Sequence, residues 1–157
     1  MRYAKIMSND IVDGEGVCVS FWTQGCPHRC VGCHNPETWD FNGGIEEEPS
    51  ILINKILTLL RKNNVKRNLS ILGGEPLCPQ NIDFIFELCQ QVKEKYPDTK
   101  IFLWTGYYKE KLKQEIQNKI EKYIDILIDG PFILEQRDLT LKLRGSRNQR
   151  ILTKKDF

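Results

Sequence analysis

Three cysteines within eight residues, Cys26, Cys30 and Cys33 of GCPHRCVGCHNPETW (25–39), constrain this chain more than any other stretch. The first fifteen residues, MRYAKIMSNDIVDGE, lack the apolar run of a secretory signal, and no later run approaches the roughly 18 apolar residues of a membrane span. The sequence therefore predicts a soluble cytoplasmic protein, where thiols stay reduced. Six cysteines with three clustered then point to metal or redox chemistry rather than a disulfide framework. Pro27, His28, Arg29 and Gly32 offer no apolar periodicity to which buried structural thiols could belong. A closed metal site takes four ligands, and this loop supplies three. Either His28, His34, Cys18 or Cys78 completes a zinc tetrahedron, without the second CxxC pair that zinc motifs usually bring, or three thiolates hold an iron-sulfur cluster with one iron open.

Around the loop, short apolar strands alternate with amphipathic helices. VCVSFW (17–22), NLSIL (68–72), KIFLW (100–104) and IDILI (124–128) read as strands. Leu52, Ile56, Leu59 and Leu60 mark a helix after Pro49-Ser50, residues 79–96 a second, and the charged run YYKEKLKQEIQNKIEKY (107–123) a third. Cys89 falls on the apolar stripe of the second helix, as a core residue does. Such alternation predicts an α/β fold with a parallel sheet and right-handed crossovers. The cysteine loop, GGEP, WTGY and DGPF each follow a predicted strand, so they should share the carboxyl-end rim where active sites of parallel α/β folds form. A chain of 157 residues reads as a single domain, 1–157, too short for the roughly 250 residues of an eight-unit barrel, so a partial barrel or a curved open sheet is expected. A net charge of +2 does not argue for nucleic acid, but the last twenty-one residues carry seven Lys and Arg against Asp138 and Asp156. That tail is a solvated basic edge or a surface for an acidic or phosphate-bearing partner.

CPHRCVGC, a Cx3Cx2C pattern after a first strand, with GGEP two strands on, resembles the radical S-adenosylmethionine (SAM) superfamily. The resemblance implies a parallel sheet of alternating β-α units forming a partial, incomplete TIM-like radical SAM barrel. It implies a [4Fe-4S] cluster on Cys26, Cys30 and Cys33, whose open iron chelates the methionine part of SAM. Reduction then splits the sulfonium to give a 5′-deoxyadenosyl radical that takes hydrogen from a substrate. Gly73, Gly74 and Glu75 would meet the SAM amino group, glycines giving room for close backbone approach and the glutamate a carboxylate for an ammonium. Gly32, Cys33 and His34 would border the cofactor on the other side, with Thr105, Gly106 and Asp129 as weaker contacts. No catalytic side chain is implied, since the cofactor carries the radical. The superfamily commonly has an aromatic where this chain has Gly32, which leaves adenine stacking unassigned, with His34 as a substitute.

IVDGEG (11–16), the cysteine loop through Phe41, GGEPL, WTGY, DILIDGPF (125–132) and RGSRNQR (144–150) together resemble the activating proteins of the anaerobic ribonucleoside-triphosphate reductase, nearly end to end. That resemblance implies a glycyl-radical activase with the reductase as protein substrate, a flavodoxin-like electron donor, and no nucleic-acid or membrane partner. Rival readings are another small radical SAM enzyme, acting on a small molecule or activating a different glycyl-radical enzyme, and a non-catalytic zinc module. Relatives often carry arginine after DGEGV, where this chain has Cys18, read here as a small strand residue; Cys78 has no assigned place.

Overall fold

The computed structural model describes residues 1–157. One seven-stranded sheet runs from β1 (Arg2–Asp10) through β2 (Cys18–Thr23), β3 (Ile45–Glu46), β4 (Asn68–Gly73), β5 (Ile101–Trp104) and β6 (Ile126–Asp129) to β7 (Arg150–Thr153), interleaved with α1 (Pro49–Leu59), α2 (Ile82–Lys95) and α3 (Gln114–Tyr123). Its spatial order is β3-β1-β2-β4-β5-β6-β7. The central strands β2, β4, β5 and β6 are parallel, as the alternation predicts. The expectation of a parallel sheet needs correction, because β1, β3 and β7 pair antiparallel and make the sheet mixed. None of the three is joined to its neighbour by a helical crossover, so the βα periodicity carried no sign of them.

Register divides the sheet into two unlike faces. Val19, Leu69 and Ile101 align across β2, β4 and β5, as do Phe21, Ile71 and Leu103. These side chains form one buried cluster with Leu52 and Ile56 of α1, Leu88 and Val92 of α2 and Ile120 of α3. Each such fully buried aliphatic contributes roughly 1.5–3 kcal/mol. The alternate residues Ser20, Ser70 and Phe102, then Trp22 and Leu72, point to the opposite face, since successive strand residues alternate sides. Loops rather than helices cover that face. Gly14 lies against Cys18, Ser70 and Phe102, and the Trp104 indole donates to the carbonyl of Leu143 at 2.8 Å.

The helices start where local chemistry allows. Glu48 caps α1 by accepting from the Ser50 and Ile51 amides, and Pro49 stands where its missing N–H is harmless. The third helix is shorter than the charged run suggests. The Tyr107 amide donates to the Thr105 hydroxyl and the Lys109 amide to Asp129, so within residues 107–113 the only helical turn is the 3-10 turn Lys109–Lys111, and α3 begins at Gln114. Similarly, the Asn81 side chain is spent on the carbonyls of Gln24 and Glu75, and α2 begins only at Ile82. No helix is long and apolar enough to cross a membrane.

A C-terminal strap, residues 130–149, returns across the loop-covered face and is anchored at both ends of RGSRNQR. Gln149 accepts from the Gly145 and Ser146 amides and donates to the Gly130 carbonyl; Asn148 donates to Tyr108 and Pro131. Arg150 donates to both oxygens of Asp129, at 2.9 and 2.5 Å, and to both of Glu110 at 2.9 Å. Asp129 is 0% exposed, so removal of the guanidinium leaves a buried charge with only the Lys109 amide. Arg150→Ala should lower stability by about 3 kcal/mol in denaturant unfolding, with Arg150→Lys recovering only part because it lacks the bidentate fork.

Candidate active site

The cysteine loop is held from below before any ligand is considered. The Gly25 and Cys26 amides donate to the carbonyls of Thr38 and Trp39, and the Gln24 side chain donates to Glu37 and Asp40. Within the loop, Cys33 donates to the Cys30 carbonyl and the Asn35 amide reaches the Cys33 sulfur at 3.4 Å. Cys26, Cys30 and Cys33 are all free and half-buried. Burial pushes the Cys26 thiol up to about 11, against the backbone of His28 and Arg29.

GGEP joins this loop through backbone. The Glu75 amide donates to the Gly25 carbonyl at 2.9 Å. Gly73 has φ +104°, and a Cβ there would lie 2.5 Å from the Thr23 nitrogen, while one at Gly74 would overlap the Gly25 carbonyl. Both glycines are therefore required by the approach of one protein backbone to another, a reason independent of any ligand.

The Glu75 carboxylate is 1% exposed and fully engaged. One oxygen accepts from the Leu77 amide and the Thr105 hydroxyl, each at 2.8 Å; the other meets the His28 ring and the Gly106 amide, each at 2.7 Å. His28 packs edge-on to Tyr107, ring centroids 4.5 Å apart, and lies over Gly106, where a Cβ would strike its ring. Three of the four carboxyl-end loops thus meet at one side chain.

Above them opens a cavity of about 410 Å³, lined by Cys26, Cys30, Cys33 and His34 from the cysteine loop, Gly73, Gly74 and Glu75 from GGEP, and Thr105 and Gly106 from the next loop. These sequence-predicted residues are brought together. Gly32 does not line the cavity; its φ of +78° and its contact with Leu134 turn the loop against the strap. Asp129, expected as a weaker cofactor contact, also lies outside the lining, because its carboxylate is committed to Arg150 and the Lys109 amide. His34 stands edge-on to Phe132 of the strap, centroids 5.4 Å apart.

No three His, Cys, Asp or Glu side chains converge on a single-ion position. A cubane instead takes its thiolates on separate irons, so three half-buried thiols spread along one cavity wall are a suitable donor set. Trp39, also in the wall, has its indole N–H buried without a protein acceptor, a donor suited to an electron-rich sulfur group. The residues fit a sulfur-bound cluster.

Residues 12–152 match the profile of the 4Fe-4S single cluster domain. The anaerobic ribonucleoside-triphosphate reductase-activating proteins of Vibrio cholerae and Haemophilus influenzae are 40% and 38% identical over 150 residues, covering 95% of this chain and 96% of each relative. That of Enterobacteria phage T4 is 38% identical over 157 residues, 99% of this chain and 96% of its own. The chain belongs to this activating-protein family.

Several wall residues of this family member escaped the sequence reading. All three tryptophans, Trp22, Trp39 and Trp104, line the cavity. Two of them end predicted strands, a placement that could have marked them. Asp13 of IVDGEG also lines it, beside a second carboxyl, Asp10, which is buried with one oxygen lacking any donor. Asp10's other oxygen accepts from the Val12 and Asp13 amides. Burial pushes the Asp13 carboxyl up to about 7, and Asp10 pushes the same way by hydrogen bond and charge, with Lys5 opposing. Burial also acts to raise Asp10, but the Asp13 proton, the two amides and Ser20 outweigh it and hold Asp10 below the usual range. The consistent state is a neutral Asp13 donating to the orphan oxygen of Asp10.

Asp13 gives up its proton near 3.8 when unfolded and near 7 when folded, so between these values the folded state binds more protons and stability falls as pH rises. Unfolding measured from pH 4 to 8 should show that decline. Asp13→Asn, whose amide can still donate to Asp10, should flatten the decline and be the more stable protein at pH 8.

Proposed function

We propose that this chain is a cytoplasmic radical SAM oxidoreductase that generates a glycyl radical on the anaerobic ribonucleoside-triphosphate reductase, with a flavodoxin-like protein as electron donor. The observation that carries the reading is that three thiols and the GGEP carboxylate line one cavity. Cys26, Cys30 and Cys33 would hold a [4Fe-4S] cluster, and SAM would take the position that has no protein ligand. Once bound and reduced, that pair supplies sulfonium cleavage and hydrogen-atom abstraction.

The chain's own residues bind, orient and keep the site dry. Gly73 and Gly74 fix GGEP against Thr23 and Gly25, which sets the height of Glu75 beside the cysteine loop. Glu75 presents its carboxylate to the ammonium of SAM, with Thr105 and the Gly106 amide holding it in place. All its lone pairs already face donors, so the ammonium of SAM would be accepted only in place of one of them; His28, at 19% side-chain exposure, is the partner not built into a buried turn. Cys33 and His34 border the same space, with Gly32 shaping the turn between them and the strap. Trp22, Leu72, Trp104 and Phe132 give the cavity apolar walls that exclude water from a radical site. No side chain has to act as acid or base for hydrogen abstraction. The open sheet, with β3 and β7 as edges, goes with an incomplete barrel that admits a loop of another protein.

Anaerobic reconstitution with iron and sulfide, then reduction with SAM, should yield 5′-deoxyadenosine and methionine, and Cys30→Ser should abolish cluster and cleavage together. Mixing with the reductase should produce a glycyl-type doublet in electron paramagnetic resonance. Cleavage without any doublet would favour a small-molecule substrate instead.

A further inference from the structure

The strap carries more charge than the fold uses. Arg150 is consumed by Asp129 and Glu110, but Arg137, Lys142 and Arg147 are exposed and no carboxylate lies within 4.0 Å of any of them. Arg29, exposed on the cysteine loop, is equally without an ion-pair partner. With a net charge of only +2, this is a local excess and not a property of the whole surface.

Large aliphatic side chains are exposed among these cations. Val31 is 76% exposed, Leu139 77% and Leu134 40%. Val31 and Leu134 stand on segments that touch, and Leu139 sits on a loop whose Gly145 lies against Phe132. Gly32, next to Val31, packs on Leu134 and Phe132, and a Cβ at Gly32 would lie 2.8 Å from Leu134 Cδ1. The Arg137–Ser146 bridge and the bond from the Asp138 amide to the Gly145 carbonyl close residues 138–145 into a loop. The inner residues of that loop, Leu143 and Gly145, line the cavity, whereas Leu139 and Lys142 face solvent. Scattered exposed aliphatics need no explanation, but exposed aliphatics on segments that wall a cavity, on a strap whose cations outnumber its carboxylates Glu135 and Asp138, are the composition of a binding face.

We propose that Val31, Leu134 and Leu139, together with the exposed cations Arg137, Lys142 and Arg147, form the face on which the reductase docks, and that the reductase meets it with apolar side chains bordered by carboxylates. The inference rests on the activase reading above and adds the surface and the partner's chemistry to it. A protein fits this face better than a nucleic acid: its anchors are aliphatic and cannot stack on bases as aromatic platforms do. The aliphatic groups supply residence time in the complex, while the cations steer encounter with an acidic rim.

The test uses the reconstituted full chain and the intact reductase. Leu139→Glu should weaken the complex at least tenfold in Kd, mostly through faster dissociation. The triple change Arg137→Glu, Lys142→Glu, Arg147→Glu should slow association and reduce its salt dependence. Both variants should keep the wild-type unfolding midpoint and wild-type SAM cleavage measured without the reductase. Reductase binding unchanged in both variants overturns the docking face while leaving the activase reading intact, as does loss of binding to a single-stranded oligonucleotide in place of the reductase. A wild-type chain that cleaves SAM yet neither binds nor radicalises the reductase overturns the activase reading, and this face with it.

Discussion

A carboxylate removed from water needs donors to replace the solvent, and Glu75 obtains four of them from three parts of the chain. Leu77 lies in its own turn, Thr105 and Gly106 follow β5, and His28 sits between two of the three clustered cysteines. The heights of the cysteine loop, GGEP and the WTGY loop relative to one another are set by this group, since moving any one of them strands a buried charge. The close approach of Gly74 to Gly25 reinforces the same junction through backbone, where there is no side chain to give way.

The second constraint is the mixed sheet. Four parallel strands bury one face against α1, α2 and α3 and leave the other without helices, so the cavity has a floor of strand residues such as Trp22 and Leu72. The strap leaves β6, crosses that face and returns to the antiparallel β7, and the ion pair of Arg150 with Asp129 holds its two ends together. Cavity walls and exterior face come from the same strap: Phe132, Leu143 and Gly145 inward, Leu139 and Lys142 outward. The same segment thus encloses the site on one side and presents exposed cations on the other.

Much of this was legible residue by residue. The four parallel strands and three helices follow from apolar periodicity, because burial on one side of a helix or both sides of a strand leaves a regular pattern. The gathering of Cys26, Cys30, Cys33, Gly73, Gly74, Glu75 and Thr105 on one rim follows from their position after parallel strands. What was not legible depends on partners distant in sequence. Asp129 reads as a free carboxylate until Arg150 is placed on it twenty-one residues away. The start of α3 moved because amides of Tyr107 and Lys109 found acceptors outside the helix. Cys18, on the strand face beneath Gly14, is buried, with its thiol directed to the Glu15 carbonyl at 3.4 Å. Cys78 is buried in the turn that begins α2.

The sequence by itself determined the chemistry on offer, three thiols in a loop without apolar periodicity, and the order of strands and helices that carries them to one rim. Both are local properties: ligand type is a matter of residue identity, and periodicity reflects burial within one element. Tertiary structure alone decided which polar groups are free. It closed Glu75 within four donors, withdrew Asp129 into an ion pair and left Arg137, Lys142 and Arg147 in solvent. The physical reason is that a charged or hydrogen-bonding side chain takes its role from whichever partner stands within about 3 Å. That partner, in every one of the paired cases, is placed at least in part by the packing of the fold.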